Sequence, residues 1–303
     1  MLKKIAAIFT KLKPYLAPIV VCVTIALFVY FFIKNPSLRY ALADTNPLLL
    51  LLIMALYAVF MICLAWVYQL TLELCGKRLP TGENILLTCY STIANFFGPL
   101  QSGPGVRAAY LKQKHQVKLR DYSIATLFYY ALYAIVSAVF LLIGSGKYWP
   151  WALSLTVCVV VGSLSVVWFI RRRVLRKNQE LSVQFKPKIV LLLLLATMCQ
   201  LGCMALIYFV ELRAVGSQAT IAQAIAYGGA ANFALFVSLT PGAIGFREAF
   251  LAFSQQLHHV PTSAILAASI IDRAVFVSFL GILFLGILAL HANKRFIKSS
   301  KKG

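Results

Sequence analysis

Two pairs of charged residues interrupt apolar sequence in the C-terminal half of the chain. Arg247 and Glu248 lie in "GFREAFL", and Asp272 and Arg273 lie in "SIIDRAVFVSF". Because an ionised side chain inside a membrane-spanning helix costs about 2.5–3.5 kcal/mol, opposite charges are expected to pair there. We expect Glu248 to pair with Arg273, while Asp272 either pairs with Arg247 or carries a proton. The pairs would serve as a structural lock or as contacts for a substrate or coupling ion.

A further arginine, Arg107, follows a stretch rich in glycine and proline, "ANFFGPLQSGPGVRAAYL". This stretch is similar to the one around Arg247, "ANFALFVSLTPGAIGFREAFL". The two align at a spacing of 137 residues from Asn95 and Asn232 onward, and of 140 residues from the two arginines onward. Arginine binds phosphate oxygens through two parallel hydrogen bonds. Each arginine therefore either contacts an anion or extends to the membrane surface, and for Arg247 the surface position is the stronger expectation.

The composition is that of an integral membrane protein. Of 303 residues, 61% are hydrophobic, and the mean hydropathy is +0.84. A net charge of +21 could indicate a nucleic-acid partner, but the basic residues cluster between apolar runs. The positive-inside rule and attraction to anionic lipid explain that pattern better, so no nucleic-acid partner is predicted.

The acidic residues limit the chemistry further. Among the eight acids only Glu248 and Asp272 are expected at membrane depth, whereas Glu73 and Glu83 flank a short loop and are expected to be solvated. No paired-acid motif or nucleophile with its base is present in the sequence. We therefore predict no catalytic residue, no metal site and no cofactor.

The apolar segments predict an all-α integral membrane fold. Six segments of about 20 residues are long enough to cross a bilayer, at 15–33, 48–72, 122–143, 149–170, 188–210 and 262–290. If two weaker stretches, 84–100 and 220–240, also crossed, Lys and Arg would divide almost evenly between the two sides. If each enters and leaves on one side, 23 Lys and Arg lie inside and 5 outside. The positive-inside rule favours this arrangement of six transmembrane crossings plus two re-entrant helical hairpins.

The chain is predicted to form one polytopic domain, 1–303, built as an inverted repeat. The first half, about 1–145, contains the hairpin 84–118, and the second, about 146–303, contains the hairpin 220–258. Inverted repeats with broken helices at mid-membrane are typical of transporters. Since no cleavage site follows the first apolar run, that run is predicted to be a retained helix of a plasma membrane protein, with both termini cytoplasmic.

Glycine and proline mark the predicted tip of each hairpin. The tip residues are Gly103, Pro104 and Gly105 in the first hairpin and Pro241, Gly242 and Gly245 in the second. A helix that starts at such a tip points free amides and its positive dipole end at the membrane centre, which favours an anion. The alternative is that these residues only form the turn. Asn95 and Asn232 would cap the turns or line a cavity, and capping is the expectation.

The second half resembles the transmembrane region of lysylphosphatidylglycerol synthases, a flippase-like domain family. That family has the pattern Pro-Gly-Gly-x-Gly-x-x-Glu, followed by an Arg in the next helix. The matching residues are Pro241, Gly242, Gly245, Glu248 and Arg273. In the first half, Gly103 and Arg107 match the family's Gly-Glu-x-x-Arg, but Pro104 replaces the Glu. The helix after it, "FYYALYAIVS", lacks the family's Glu-Arg pair.

The resemblance implies a protein that moves a lipid, or a lipid-linked sugar, between the leaflets. The expected ligand is an anionic phospholipid or a polyprenyl-phosphate-linked lipid. In the full-length synthases a soluble aminoacyl-transfer domain follows the membrane part, and we expect no such transfer activity from this chain. An accessory subunit for a lipid- or glycan-synthesising enzyme, a membrane-embedded lipid-modifying enzyme and a small-solute transporter are the alternatives.

Overall fold

The computed structural model describes a helical protein. The described residues are 43–97, 102–143, 183–237 and 246–300, with scattered positions at 26–40 and 145–172. No strand occurs among them. The helices are Pro47–Glu73 (α1), Thr81–Phe97 (α2), Gly103–His115 (α3), Leu119–Ile143 (α4), Pro187–Ala214 (α5), Ile221–Val237 (α6), Phe246–Phe253 (α7), Gln255–His258 (α8) and Thr262–Ser300 (α9).

Four helices are long and apolar enough to cross a membrane. They are α1, α4, α5 and the part of α9 that runs to Ala289, and they coincide with four of the six predicted spans. About half of the predicted span 149–170 is described, and its described positions are helical, with a shorter apolar helix at Trp149–Gly162. The predicted span 15–33 also lies almost entirely outside them.

The two weaker apolar stretches each form a set of shorter helices. In the first, α2 packs against α3, and in the second, α6 packs against α7 and α8. None of these helices reaches the length of about 20 residues that a crossing requires. The predicted tip residues of the second set, Pro241, Gly242 and Gly245, lie outside the described residues. Those of the first set, Gly103, Pro104 and Gly105, form the first turn of α3.

Close packing at Gly103 holds α3 against α2. A Cβ atom at Gly103 would lie 2.5 Å from the carbonyl oxygen of Ser91, so only glycine fits. The Oδ1 atom of Asn95 accepts a long hydrogen bond, 3.4 Å, from the backbone N–H of Gly103. This contact fits the capping role predicted for Asn95, because it satisfies an amide at the start of a helix.

The principal helix contacts repeat between the two halves of the chain. In the first half α1 packs against α2 and α4, while α3 packs against α2 and α4. In the second half α5 packs against α6 and α9, while α7 packs against α6 and α9. Between the halves α1 packs against α5, and the contact of α4 with α6 has a counterpart in that of α9 with α2. Helices α1, α2, α3 and α4 therefore correspond, in that order, to α5, α6, α7 and α9, because corresponding pairs of helices are in contact in both halves.

The spacing of helix ends shows the same correspondence. Pro47 and Pro187, which start α1 and α5, are 140 residues apart, and both ends of α2 and α6 have this spacing. The described positions with a left-handed backbone form pairs, Gly76 with Gly216 at a spacing of 140 and Gln116 with His259 at 143. The spacing increases from 140 to 143 because the second half has three more residues than the first in the stretch where α7 ends and α8 begins. The spacing of 137 predicted for Asn95 and Asn232 is wrong by three residues, about one helical turn.

Helices α4 and α6, from different halves, approach most closely at Gly229. A Cβ atom at Gly229 would lie 2.5 Å from the carbonyl oxygen of Ser137 and 2.6 Å from the backbone nitrogen of Leu141. At the adjacent Gly228 the nearest atoms would be at an ordinary distance of 3.5 Å. Small residues allow this kind of backbone approach between membrane helices.

We predict that Gly229→Ala destabilises the protein and that Gly228→Ala does not. The added methyl group at Gly229 must displace the backbone of α4, and such overpacking costs about 1–3 kcal/mol. At Gly228 the higher helix propensity of alanine compensates for any small adjustment. Thermal unfolding of both variants in detergent measures the difference, and equal melting temperatures would contradict the prediction.

The second hairpin ends at a buried histidine, His258. Its Nε2–H donates to the carbonyl oxygen of Leu251 at 2.9 Å, and its Nδ1 accepts from the N–H of Val260 at 3.2 Å. These two bonds require a neutral ring with its proton on Nε2. Burial lowers the pKa of His258 from 6.5 to about 4.

Because the pKa of His258 is lowered in the folded protein, we predict that the protein loses stability in acid. The unfolded chain takes up a proton below a pH of about 6.5, whereas the folded protein does so only near pH 4. The contribution of neutral His258 to the free energy of unfolding is therefore fully present above pH 6.5. It decreases by up to about 3 kcal/mol as the pH drops towards 4. Melting temperatures across this window should fall less steeply for His258→Gln. The exposed neighbour gives the control, since His259→Asn also removes a histidine, keeps a residue that tolerates the left-handed backbone and leaves the buried ring of His258 in place.

Candidate functional site

A network of charged side chains joins α7 to α9. The Nη2 atom of Arg247 lies 2.5 Å from Oδ2 of Asp272, and Nη2 of Arg273 lies 2.5 Å from Oε1 of Glu248. The Nε atom of Arg247 lies 3.6 Å from the same Glu248 oxygen. Both predicted pairs, Glu248 with Arg273 and Asp272 with Arg247, are present.

The network also reaches α1, and its Arg247–Asp272 part is buried, while Glu248 and Arg273 are partly exposed. The hydroxyl of Tyr57, on α1, donates a short hydrogen bond to Oδ1 of Asp272. Arg247 is 8% exposed and Asp272 is 5% exposed. The guanidinium of Arg247 lies over the ring of Tyr208, 5.9 Å from its centroid. The expectation that Arg247 extends to the membrane surface is therefore wrong, because its side chain turns inward to a carboxylate and an aromatic ring.

The sequence-based prediction missed a third acid of this network, Glu211. It lies on α5, is 1% exposed, and interacts with Asp272 and Arg247. Glu211 is thus a buried acid in addition to Glu248 and Asp272, the two acids that were expected at membrane depth. A signal was available, because Gln200, Tyr208 and Glu211 follow one face of α5 at helical spacing.

In the first half Arg107 is completely buried among neutral groups. Its guanidinium stacks on the ring of Tyr68, 4.0 Å from the centroid. Its Nη1 donates to Oγ1 of Thr88 and its Nη2 to Oδ1 of Asn84, both at 3.2 Å. In the described part of the chain, Arg107 forms no ion pair and its Nε has no hydrogen-bond partner. The side chain is therefore a buried cation that has no anionic partner among the described residues.

The arginine and its stacked tyrosine occur in both halves. Arg107 and Arg247 are 140 residues apart, as are Tyr68 and Tyr208. The acids do not occur in both. At the spacings of 140 and 143, the positions of Glu211, Asp272 and Arg273 are taken in the first half by Thr71, Tyr129 and Tyr130. The same arginine thus has carboxylate neighbours in the second half and none in the first.

The two asparagines differ in their environment. Asn95 is exposed and contacts α3 as described above. Asn232 is 1% exposed, and its Oδ1 accepts a 2.7 Å hydrogen bond from the hydroxyl of Tyr133 on α4. The capping role predicted for Asn232 is not what the structure shows, since this side chain joins the two halves of the protein.

A second polar cluster lies at the open end of the first hairpin. Glu83, in the first turn of α2, accepts hydrogen bonds from Tyr110 at 2.7 Å and from His115 at 2.6 Å, and Lys114 lies 3.0 Å from it. The Tyr110 hydroxyl, helped by His115 and Lys114, lowers the pKa of Glu83 to about 2. Glu83 was expected to be solvated, but it connects the start of α2 to the end of α3.

These features define a multi-pass helical membrane protein in which short helix pairs carry buried arginines between long apolar helices. Residues 16–286 match the family described as the lysylphosphatidylglycerol synthase TM region, and the chain belongs to that family. The match confirms the resemblance of the second half and extends it over the first. Among curated protein sequences none matches the chain. Over the described residues, no group of three His, Cys, Asp or Glu could hold a metal ion.

We predict that removing one charge of the Glu248–Arg273 ion pair destabilises the fold more than removing both charges. Arg273→Gln leaves the partly buried Glu248 carboxylate with weaker compensation and should destabilise the protein by about 1–3 kcal/mol, less than the loss expected for a fully buried pair. The double variant Glu248→Gln/Arg273→Gln should recover much of this loss, because both charges are then absent. The control is Arg78→Gln, which breaks the exposed pair with Glu73 and should cost at most about 1 kcal/mol. Melting temperatures of single and double variants test the coupling, which is disproved if the two effects simply add.

Proposed function

We propose that this protein moves an anionic lipid between the leaflets of the membrane and binds the lipid headgroup at Arg107. The observation that carries the proposal is that this guanidinium is buried and forms no ion pair with a residue that the structure describes. Burial of an unpaired charge is unfavourable. A phosphate group would supply the missing negative charge and would accept the two parallel hydrogen bonds that arginine offers.

The second half supports the choice of an anion. There the corresponding arginine, Arg247, binds the carboxylate of Asp272 at 2.5 Å. At the corresponding place in the first half, Tyr129 is a neutral residue. An arginine in this setting therefore binds an oxyanion where the chain provides one. In the first half that oxyanion would come from the substrate.

The repeated helix contacts support the predicted topology. We infer six crossings, two re-entrant hairpins and an inverted repeat, with both termini on the cytoplasmic side of the plasma membrane. In this arrangement the first hairpin enters from the cytoplasm, so Arg107 would meet headgroups of the inner leaflet. The lipid tails would remain in the bilayer while the headgroup passes between the two halves, which would alternate in access.

In this proposal the protein transports lipid and does not modify it chemically. The family name refers to a synthase, but the matched part is its membrane region. The described residues provide a cation site that could bind an anionic headgroup, and no catalytic group enters the proposal. A lipid- or glycan-synthesising enzyme would then act before or after transport as a separate partner.

Reconstituted liposomes test the proposal. Fluorescent anionic or zwitterionic lipid is placed in one leaflet, and a membrane-impermeant quencher reports its redistribution. We expect wild-type protein to accelerate redistribution of the anionic lipid. Arg107→Gln should slow it about tenfold or more, because a hydrogen bond to a charged group contributes about 1.5–3 kcal/mol.

The matched control is Lys112→Gln on the same helix. Lys112 is an exposed cation, so its loss changes the net charge equally without altering the buried site, and transport should be unchanged. Melting temperatures confirm that all variants are folded. If folded wild-type protein accelerates no lipid, or if Arg107→Gln transports normally, the proposed function is wrong.

A further inference from the structure

The network of the second half contains more carboxyl groups than guanidinium groups. Asp272 forms an ion pair with Arg247, and Glu248 forms one with Arg273. In the described part of the chain, Glu211 forms no ion pair, and neither of its carboxyl oxygens accepts a hydrogen bond. Glu211 is 1% exposed, so bulk solvent does not reach it.

The groups around Glu211 come from five helices. They are Tyr57 on α1, Tyr208 on α5 itself, Tyr227 on α6, Arg247 on α7 and Asp272 on α9. The guanidinium of Arg247 is engaged by Asp272, and the hydroxyl of Tyr57 also donates to Asp272. Of these groups, the carboxyl group of Asp272 lies within reach of a hydrogen bond to Glu211, so the two carboxyl groups are placed to share a proton.

We propose that Glu211 and Asp272 form a proton-binding site that couples proton uptake to movement of the second hairpin. Two adjacent buried carboxyl groups do not both remain ionised, so the pair holds one proton while Asp272 binds Arg247. A second proton on the pair would leave no carboxylate of the pair facing Arg247. The start of α7 is then released from α9. The inference rests on the proposed function only where it concerns lipid movement.

The corresponding positions of the first half carry no carboxyl group. Thr71 takes the position that corresponds to Glu211, and its hydroxyl donates to the carbonyl oxygen of Val67 in its own helix at 2.8 Å. Tyr129 takes the position of Asp272 and donates to Gln200 at 3.1 Å. Protons would therefore act on one hairpin only, and the ligand anion on the other.

Infrared spectroscopy tests the proton directly and without lipid transport. A buried protonated carboxyl group gives a carbonyl band separate from that of carboxylates. We expect this band in wild-type protein near neutral pH, its loss in Glu211→Gln, and its retention in Glu73→Gln, which changes a surface acid. A wild-type protein without the band, or a band unchanged in Glu211→Gln, would overturn the inference.

The liposome assay tests the coupling. With external pH varied between about 5 and about 8, we expect wild-type rates to change by up to about tenfold per pH unit, the limit for one proton. Glu211→Gln should still move lipid but with little dependence on pH. If Glu211→Gln fails to fold, Glu211→Met, of similar length and without polar atoms, takes its place.

The outcomes separate the two proposals. Wild-type protein that moves no lipid at any pH contradicts the proposed function, while the infrared band still decides whether the proton site exists. Lipid movement with the same pH dependence in wild-type protein and in Glu211→Gln contradicts the coupling and leaves the proposed function intact.

Discussion

The ion pair of Arg247 with Asp272 is the interaction on which the second half depends. It joins the short helix α7 to the long helix α9, and the hydroxyl of Tyr57 extends the connection to α1 in the other half. A carboxylate in this closed site without those partners would be strongly destabilising. The contacts of α9 with α1, α5 and α7 therefore form together with the pair.

The two halves share one arrangement of helices but solve the problem of a buried arginine differently. Around Arg247 the chain supplies carboxylates, so the charges compensate one another within the protein. Around Arg107 it supplies an aromatic ring, a hydroxyl and an amide. These neutral groups stabilise a cation less than a carboxylate does, because only the carboxylate brings an opposite charge. The electrostatic difference, and not the fold, distinguishes the halves.

Hydropathy was sufficient to locate the long helices, and the cost of a charge in the bilayer was sufficient to predict both ion pairs of α7 and α9. The environment of Glu211 was missed because an acid close to the end of an apolar segment is usually solvated, and only tertiary packing buries it. The inward position of Arg247 was missed for the same reason. The spacing of the repeat was misjudged at Asn95 and Asn232, since a short local match takes no account of helix boundaries.

The length of α9 gives the network a mechanical consequence. This helix continues without interruption from Thr262 to Ser300, so about 28 residues, or roughly 42 Å, extend beyond Asp272. Beyond Asp272 it packs against α1 and α2 through Val277, Leu280, Phe284 and Ile287, so a tilt of α9 at the ion pair would also shift those contacts. A tilt of about 10° at Asp272 would displace the far end by roughly 7 Å. A small rearrangement of side chains deep in the protein would thus become a large displacement at the distal tip of the helix.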